Sequence, residues 1–172
     1  MSSTCYLPRK LLTNTNAYTE AELLSACEYV VVLAEPGGGK SELMNSIAHQ
    51  LGTKAVTANK FVHLGAKGKS IPLVIDAFDE LAKADSFGAY KLLSQAKATN
   101  PTHVYLSSRS SEWDSAATSA FKDVFGCSPL VVRLSEFNEV EQRAIFDHYV
   151  PDENFTTFQA EVARFDLDTL LP

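Results

Sequence analysis

The segment Ala34-Glu35-Pro36-Gly37-Gly38-Gly39-Lys40-Ser41 places three glycines directly before a lysine and a hydroxyl. That order suits a polyphosphate. Glycines let successive backbone N–H groups turn toward one shared anion. A helix starting near Lys40 adds its positive end. The Lys40 ammonium then neutralises β- and γ-phosphate charge, and the Ser41 hydroxyl is a ligand for Mg²⁺. The phosphate-loop pattern G-x-x-x-x-G-K-[ST] is met except at its first position, where Ala34 stands for glycine. The plain alternative is a glycine-rich turn between a strand and a helix. The candidate nucleotide-binding set is Glu35, Pro36, Gly37, Gly38, Gly39, Lys40, Ser41 and Glu42.

Two further clusters carry chemistry. Asp76-Ala77-Phe78-Asp79-Glu80 follows the apolar run Ile71–Ile75. A carboxylate at the tip of an apolar strand is the Walker B arrangement, so Asp76 joins Ser41 as a candidate Mg²⁺ residue. Carboxylates three and four residues on can orient and deprotonate an attacking water. Glu80 is the candidate base and Asp79 the alternative; a solvated acidic loop is the plain reading. Ser107-Ser108-Arg109 follows a third apolar run, and the Arg109 guanidinium there would read the γ-phosphate or its attacking water. A surface arginine is the plain alternative.

These residues need elements to hold them. Tyr29–Leu33 is β-branched and wholly apolar, as a strand covered on both faces must be. Leu43, Met44, Ile47, Ala48 and Leu51 share one helical face, and Gly52 stands where a C-terminal cap belongs. Weaker strand character runs over Lys54–Phe61, then come strands at Ile71–Ile75, His103–Leu106 and Leu130–Leu134. Helical stretches fall between them: Leu81 to about Lys97, stopped by Asn100-Pro101, and Ala116–Phe125, stopped by Gly126. Asn138 with Glu141 is a capping-box start for a helix to about Tyr149, and Phe155, Phe158, Val162 and Phe165 mark a last one. Glu20–Ala26 reads as a short helix, and residues 1–16 as an arm or linker. Alternation of this kind implies right-handed βαβ units, with ligands at the C-terminal ends of the strands. The expected fold is a three-layer α/β P-loop NTPase with a mostly parallel central sheet of about five strands. The expected organisation is an arm and short helix over 1–27, a core over 28–150 and a helical extension over 151–172.

Composition excludes several classes. The 172 residues are 45% apolar and 21% charged, with 8 Gly and 7 Pro, which is globular rather than disordered. A net charge of −6 disfavours a broad nucleic-acid face. No apolar run approaches the roughly 20 residues of a membrane span, and Met1–Cys5 opens no secretion signal, so a cytoplasmic protein is expected. Cys5, Cys27 and Cys127 are scattered thiols without metal spacing. His49, His63, His103 and His148 lack paired metal spacing as well, and no Ser-His-Asp set is supported. Lys60, Lys67 and Lys69 read as a solvated basic loop, and Trp113 as packing behind Arg109.

Three motifs in order resemble the NACHT-type ATPases of the STAND class, the signal-transducing P-loop ATPases. AEPGGGKSEL is similar to the family loop GEPGSGKS. PLVIDAFDEL is similar to hhhhDGxDEL, with a small residue after the Mg²⁺ aspartate and two acids beyond. VYLSSR is similar to the strand ending TSR that carries the family's sensor arginine. Leu134 to Gln142 also looks like the family entry L-x-x-F-x-x-x-E into the next helix. The likeness spans about 28–150, with Ala34 and Ala77 replacing the usual glycines. It implies ATP or ADP with Mg²⁺ and a slowly hydrolysing switch whose nucleotide state controls self-association or other domains of a larger protein, bacterial members often serving in antiviral defence. Family members continue into helical, winged-helix and sensor domains, so the resemblance implies an excised or truncated nucleotide-binding core of a larger switch, or a degenerate short relative. Segments ahead of such cores often lie against adenine, which makes Tyr6 and Arg9 candidates to stack on or clamp the base; a flexible tail is the alternative.

GTP is disfavoured. Asn59-Lys60-Phe61-Val62 fails N-K-x-D, and Asp76-Ala77-Phe78-Asp79 fails D-x-x-G. Two other functions compete: a nucleotide-locked interaction module without turnover, and a P-loop small-molecule kinase. The kinase needs an Arg-rich lid, and the chain has only Arg9, Arg109, Arg133, Arg143 and Arg164.

Overall fold

The computed structural model describes residues 6–65, 71–84 and 87–165. Among the described residues, fifteen elements follow in chain order. The first are β1 (Leu11–Leu12), β2 (Ala17–Tyr18), α1 (Glu20–Ala26), β3 (Tyr29–Leu33), α2 (Lys40–Gln50), β4 (Val56–Thr57) and α3 (Ala58–Leu64). Then come β5 (Leu73–Asp76), α4 (Phe78–Ala84), α5 (Gly88–Ala98), β6 (Val104–Ser108), α6 (Ser115–Phe125), β7 (Leu130–Leu134), α7 (Glu139–Tyr149) and α8 (Phe155–Arg164). Lys67 and Lys69, Cys5 and the segment beyond Phe165 lie outside the described residues.

The seven strands form one sheet in the order β2-β1-β7-β3-β6-β5-β4. From β7 to β4 all neighbours are parallel. β1 runs antiparallel to both β2 and β7. The sheet is therefore mixed and larger than the five strands expected. The two extra strands come from 1–27, the segment expected to hold only an arm and a short helix. Each is two residues long, too short to show a period. What holds β1 is tertiary: Leu11 is fully buried opposite Leu134. A second difference lies at 54–61, where only Val56–Thr57 is strand. The Thr57 hydroxyl accepts the Lys60 N–H and starts α3 instead.

Alternation along β3 sorts the core into two layers. Val30 and Val32 pack with Leu43, Met44 and Ile47 of α2 and Leu23 of α1. Val31 and Leu33 pack with Phe61, Phe78, Leu92, Leu93 and Phe121 on the other face. Helices thus cover both faces, as a wholly apolar parallel strand requires. α7 and α8 pair through Phe146, whose ring lies 5.4 Å from Phe155 and 4.9 Å from Phe158. No helix among the described residues is long and apolar enough to cross a membrane.

Candidate functional site

Parallel register brings the strand ends together. Leu33 of β3 pairs with Ser108 of β6, and Ile75 of β5 pairs with Leu106. The chain leaves β3 into the glycine loop, β5 after Asp76 into Ala77, and β6 into Arg109. Because β6 lies between β3 and β5, its polar end separates the loop from the aspartate.

The loop reaches α2 through Gly39, whose φ of 81° is left-handed and favours glycine. A Cβ there would also stand 3.4 Å from the Arg9 guanidinium. Lys40 folds back over the loop, donating to the Ala34 carbonyl at 2.9 Å and the Glu35 carbonyl at 3.1 Å. Burial pulls its ammonium below the ordinary lysine value, against the attraction of Asp79, Asp76 and Glu35; Arg109 adds a repulsive charge. Lys40 thus lies within electrostatic reach of three carboxylates and one guanidinium. Glu35, Pro36, Gly37 and Glu42 are exposed around it. Glu42 sits in the first turn of α2, where a carboxylate suits the helix dipole.

Asp76 is held from two sides. The Ser41 hydroxyl donates to its Oδ2 at 2.7 Å. The Ser107 hydroxyl donates to its Oδ1. The Ala77 N–H reaches both Asp76 Oδ1, at 2.9 Å, and Ser107 Oγ, at 3.0 Å. Ala77 itself has a φ of 59°. Alanine stands here in a conformation that glycine adopts without strain.

Asp79 is buried, 3% exposed, and paired with Arg109 at 3.0 Å. Glu80 follows it in the first turn of α4 and is exposed. The structure thus brings Lys40, Ser41, Asp76, Asp79 and Arg109 into one cluster. It places Arg109 on Asp79 rather than free. Trp113 packs on Phe78, with ring centroids 5.1 Å apart, and donates to Thr118. Among the described residues no group of three His, Cys, Asp or Glu side chains can hold a metal.

Two contacts were not readable from the sequence. Ser107 stands in the SSR motif, but its hydrogen bond to Asp76 depends on which strand lies beside β5. Arg9 is buried against the loop: it donates to the Gly38 carbonyl at 3.1 Å and to the Ser135 carbonyl, with its guanidinium 3.4 Å from the Phe137 ring centroid. Tyr6 instead donates to Glu20, which also takes hydrogen bonds from Ser46 and Gln50 of α2.

No family model matches the chain, and no curated protein matches it. Among solved structures it is similar to the cytoplasmic domain of EssC, at 11% identity over 81% of this chain and a TM-score of 0.39. The chain spans 39% of that structure.

Proposed function

We propose that this chain is the Mg-ATP-binding core of a slowly hydrolysing P-loop switch, of the STAND/NACHT-like kind that its motifs resemble. The observation that carries the reading is the 2.7 Å contact between Ser41, at the head of the loop helix, and Asp76, at the tip of β5. A hydroxyl and a carboxylate brought together from segments 35 residues apart are the oxygen donors that Mg²⁺ takes beside a triphosphate. When bound, the ion neutralises phosphate charge. Backbone N–H groups of 37–41 cradle the β-phosphate. Lys40, which here donates to the Ala34 and Glu35 carbonyls, would supply the charge for the β- and γ-oxygens. Ser107 keeps the Asp76 carboxylate oriented. Glu80, or else Asp79, would hold the attacking water and take its proton as the water oxygen bonds the γ-phosphorus and the bridging P–O bond breaks to release ADP, and Arg109 would read the γ-phosphate.

The Arg109–Asp79 pair favours a second reading, a nucleotide-locked interaction module without turnover. In this arrangement the arginine is occupied and the buried carboxylate is neutralised. A kinase is less well supported. Arg9 is buried on the loop, while Arg143 and Arg164 pair with acids of their own helices, so these arginines form no acceptor lid. Self-association, or neighbouring domains of a larger protein, would cover exposed apolar side chains such as Val140 and Phe165.

Calorimetry with Mg-ATP and Mg-ADP tests the reading. Wild type is expected to bind both, and Lys40→Ala to lose about 100-fold or more in affinity, as expected when a charge-assisted contact is removed. Equal affinity in the two proteins would remove the phosphate-loop assignment. Measurable binding without any ATP turnover would favour the locked module.

A further inference from the structure

Arg9 lies outside the loop, yet its position is fixed from several sides. Leu11 and Leu12 pair with β7, and the Ser135 N–H donates to the Lys10 carbonyl at 3.0 Å. The side chain is 5% exposed. Its Nε is buried without a hydrogen-bond partner, and burial lowers its pKa. Such a placement is costly for a cation. An apolar side chain would fill the same space without that cost. What only a guanidinium supplies is a planar face for Phe137 together with donors that reach two carbonyls at once. One of those carbonyls, Gly38, belongs to the loop.

We propose that Arg9 is a positioning residue for the phosphate loop, acting through the Gly38–Gly39 peptide. In a trans peptide the carbonyl and the following N–H point in opposite directions. Pinning the Gly38 carbonyl toward Arg9 therefore turns the Gly39 N–H to the side away from Arg9, where the loop would receive an anion. The Gly38 N–H donates to the Glu35 carbonyl at 3.2 Å and the Gly39 carbonyl accepts from the Leu43 N–H at 3.1 Å, but glycine on both sides does not itself restrict the peptide between these bonds, and Arg9 supplies that restraint. The same guanidinium holds Ser135 and Phe137, so loop geometry is tied to the segment entering α7. The consequence for ligand binding rests on the nucleotide-binding reading above. The pinning itself does not.

The test uses the full chain with Arg9→Met and Arg9→Lys. Backbone order parameters from ¹⁵N relaxation report the loop without any ligand, and calorimetry reports Mg-ADP. In Arg9→Met, order at Gly38 and Gly39 is expected to fall from about 0.85 toward about 0.6, with α2 unchanged. The Kd for Mg-ADP is expected to rise about 10- to 100-fold. Arg9→Lys keeps the charge but reaches one carbonyl at a time, so it should fall between the two, and it carries the comparison if Arg9→Met does not fold. Unchanged order at Gly38 and Gly39 overturns the proposal whatever the nucleotide does. Lower order with unchanged Mg-ADP affinity overturns the positioning role. A wild-type chain that binds no nucleotide removes the nucleotide reading alone, because loop order still decides whether Arg9 pins the peptide.

Discussion

Ala77 holds a left-handed backbone, φ 59°, beside the carboxylate that its own N–H helps to orient. A side chain costs roughly 1–2 kcal/mol in that region, and glycine recovers most of it less its greater chain entropy. Ala77→Gly is therefore expected to stabilise the protein by about 0.5–1 kcal/mol, read as a higher urea midpoint at constant slope. Two and three residues on, Asp79 and Glu80 differ in surroundings rather than in chemistry. Asp79 is buried on Arg109, and Glu80 is open to solvent. Under the switch reading the open carboxylate is the better base. Glu80→Gln should lower ATP turnover by about 100-fold or more while leaving Mg-ADP affinity near wild type. Retained turnover would move the base role off Glu80.

At the scale of elements, β6 does more than separate β3 from β5. Its Tyr105 is fully buried and donates to the Cys27 carbonyl at 2.8 Å and the Leu23 carbonyl at 3.3 Å, at the C-terminal end of α1. The Cys27 carbonyl lies past the last turn and needs an outside donor, while the Leu23 carbonyl, which already takes the Cys27 N–H at 3.1 Å, gains a second one. Tyr105→Phe should cost about 1 kcal/mol at neutral pH. Burial raises the Tyr105 phenol above its ordinary value, with the Cys27 thiol adding to the rise. A raised folded pKa contributes stability below the unfolded value of about 10 and loses it as pH climbs past that point. Denaturation followed from pH 8 to 11 should show wild type declining more steeply than Tyr105→Phe, with Tyr6 keeping a residual slope in both because burial and Glu20 raise it too. A flat wild-type profile would mean that these phenols do not differ between the folded and unfolded states.

Across the whole molecule, burial is uneven. The strands β3, β5 and β6 are almost wholly buried, whereas α7 contributes no buried residue and α8 only Phe155 and Val162. Val140, Tyr149 and Phe165 stand exposed on this pair. Few buried apolar contacts mean a low local opening energy. Limited proteolysis should therefore cut within 136–165 before it cuts the sheet, leaving a resistant fragment that ends near β7. First cuts inside α2 or α5 would contradict this distribution of stability.

Much of the fold was legible because its signals are local. The apolar run at Tyr29–Leu33, the stripe through Leu43, Met44 and Ile47, and the Asn138–Glu141 box each act within a few turns of chain, and the observed elements match them closely. The strands β1 and β2 left no such mark, because two residues carry no period, and β4 is the short part of the weak strand read over Lys54–Phe61. The glycines before Lys40 and the acids after β5 were equally visible, since a phosphate loop and a strand-end carboxylate are patterns in adjacent residues. By itself, then, the sequence determined the α/β alternation and the residue types available at the strand ends. Only the tertiary structure decided that β6 would stand between β3 and β5, with Ser107 on Asp76, Arg109 on Asp79 and Arg9 on Gly38. Strand order and register are set by packing between segments far apart in the chain, and no local spacing encodes them.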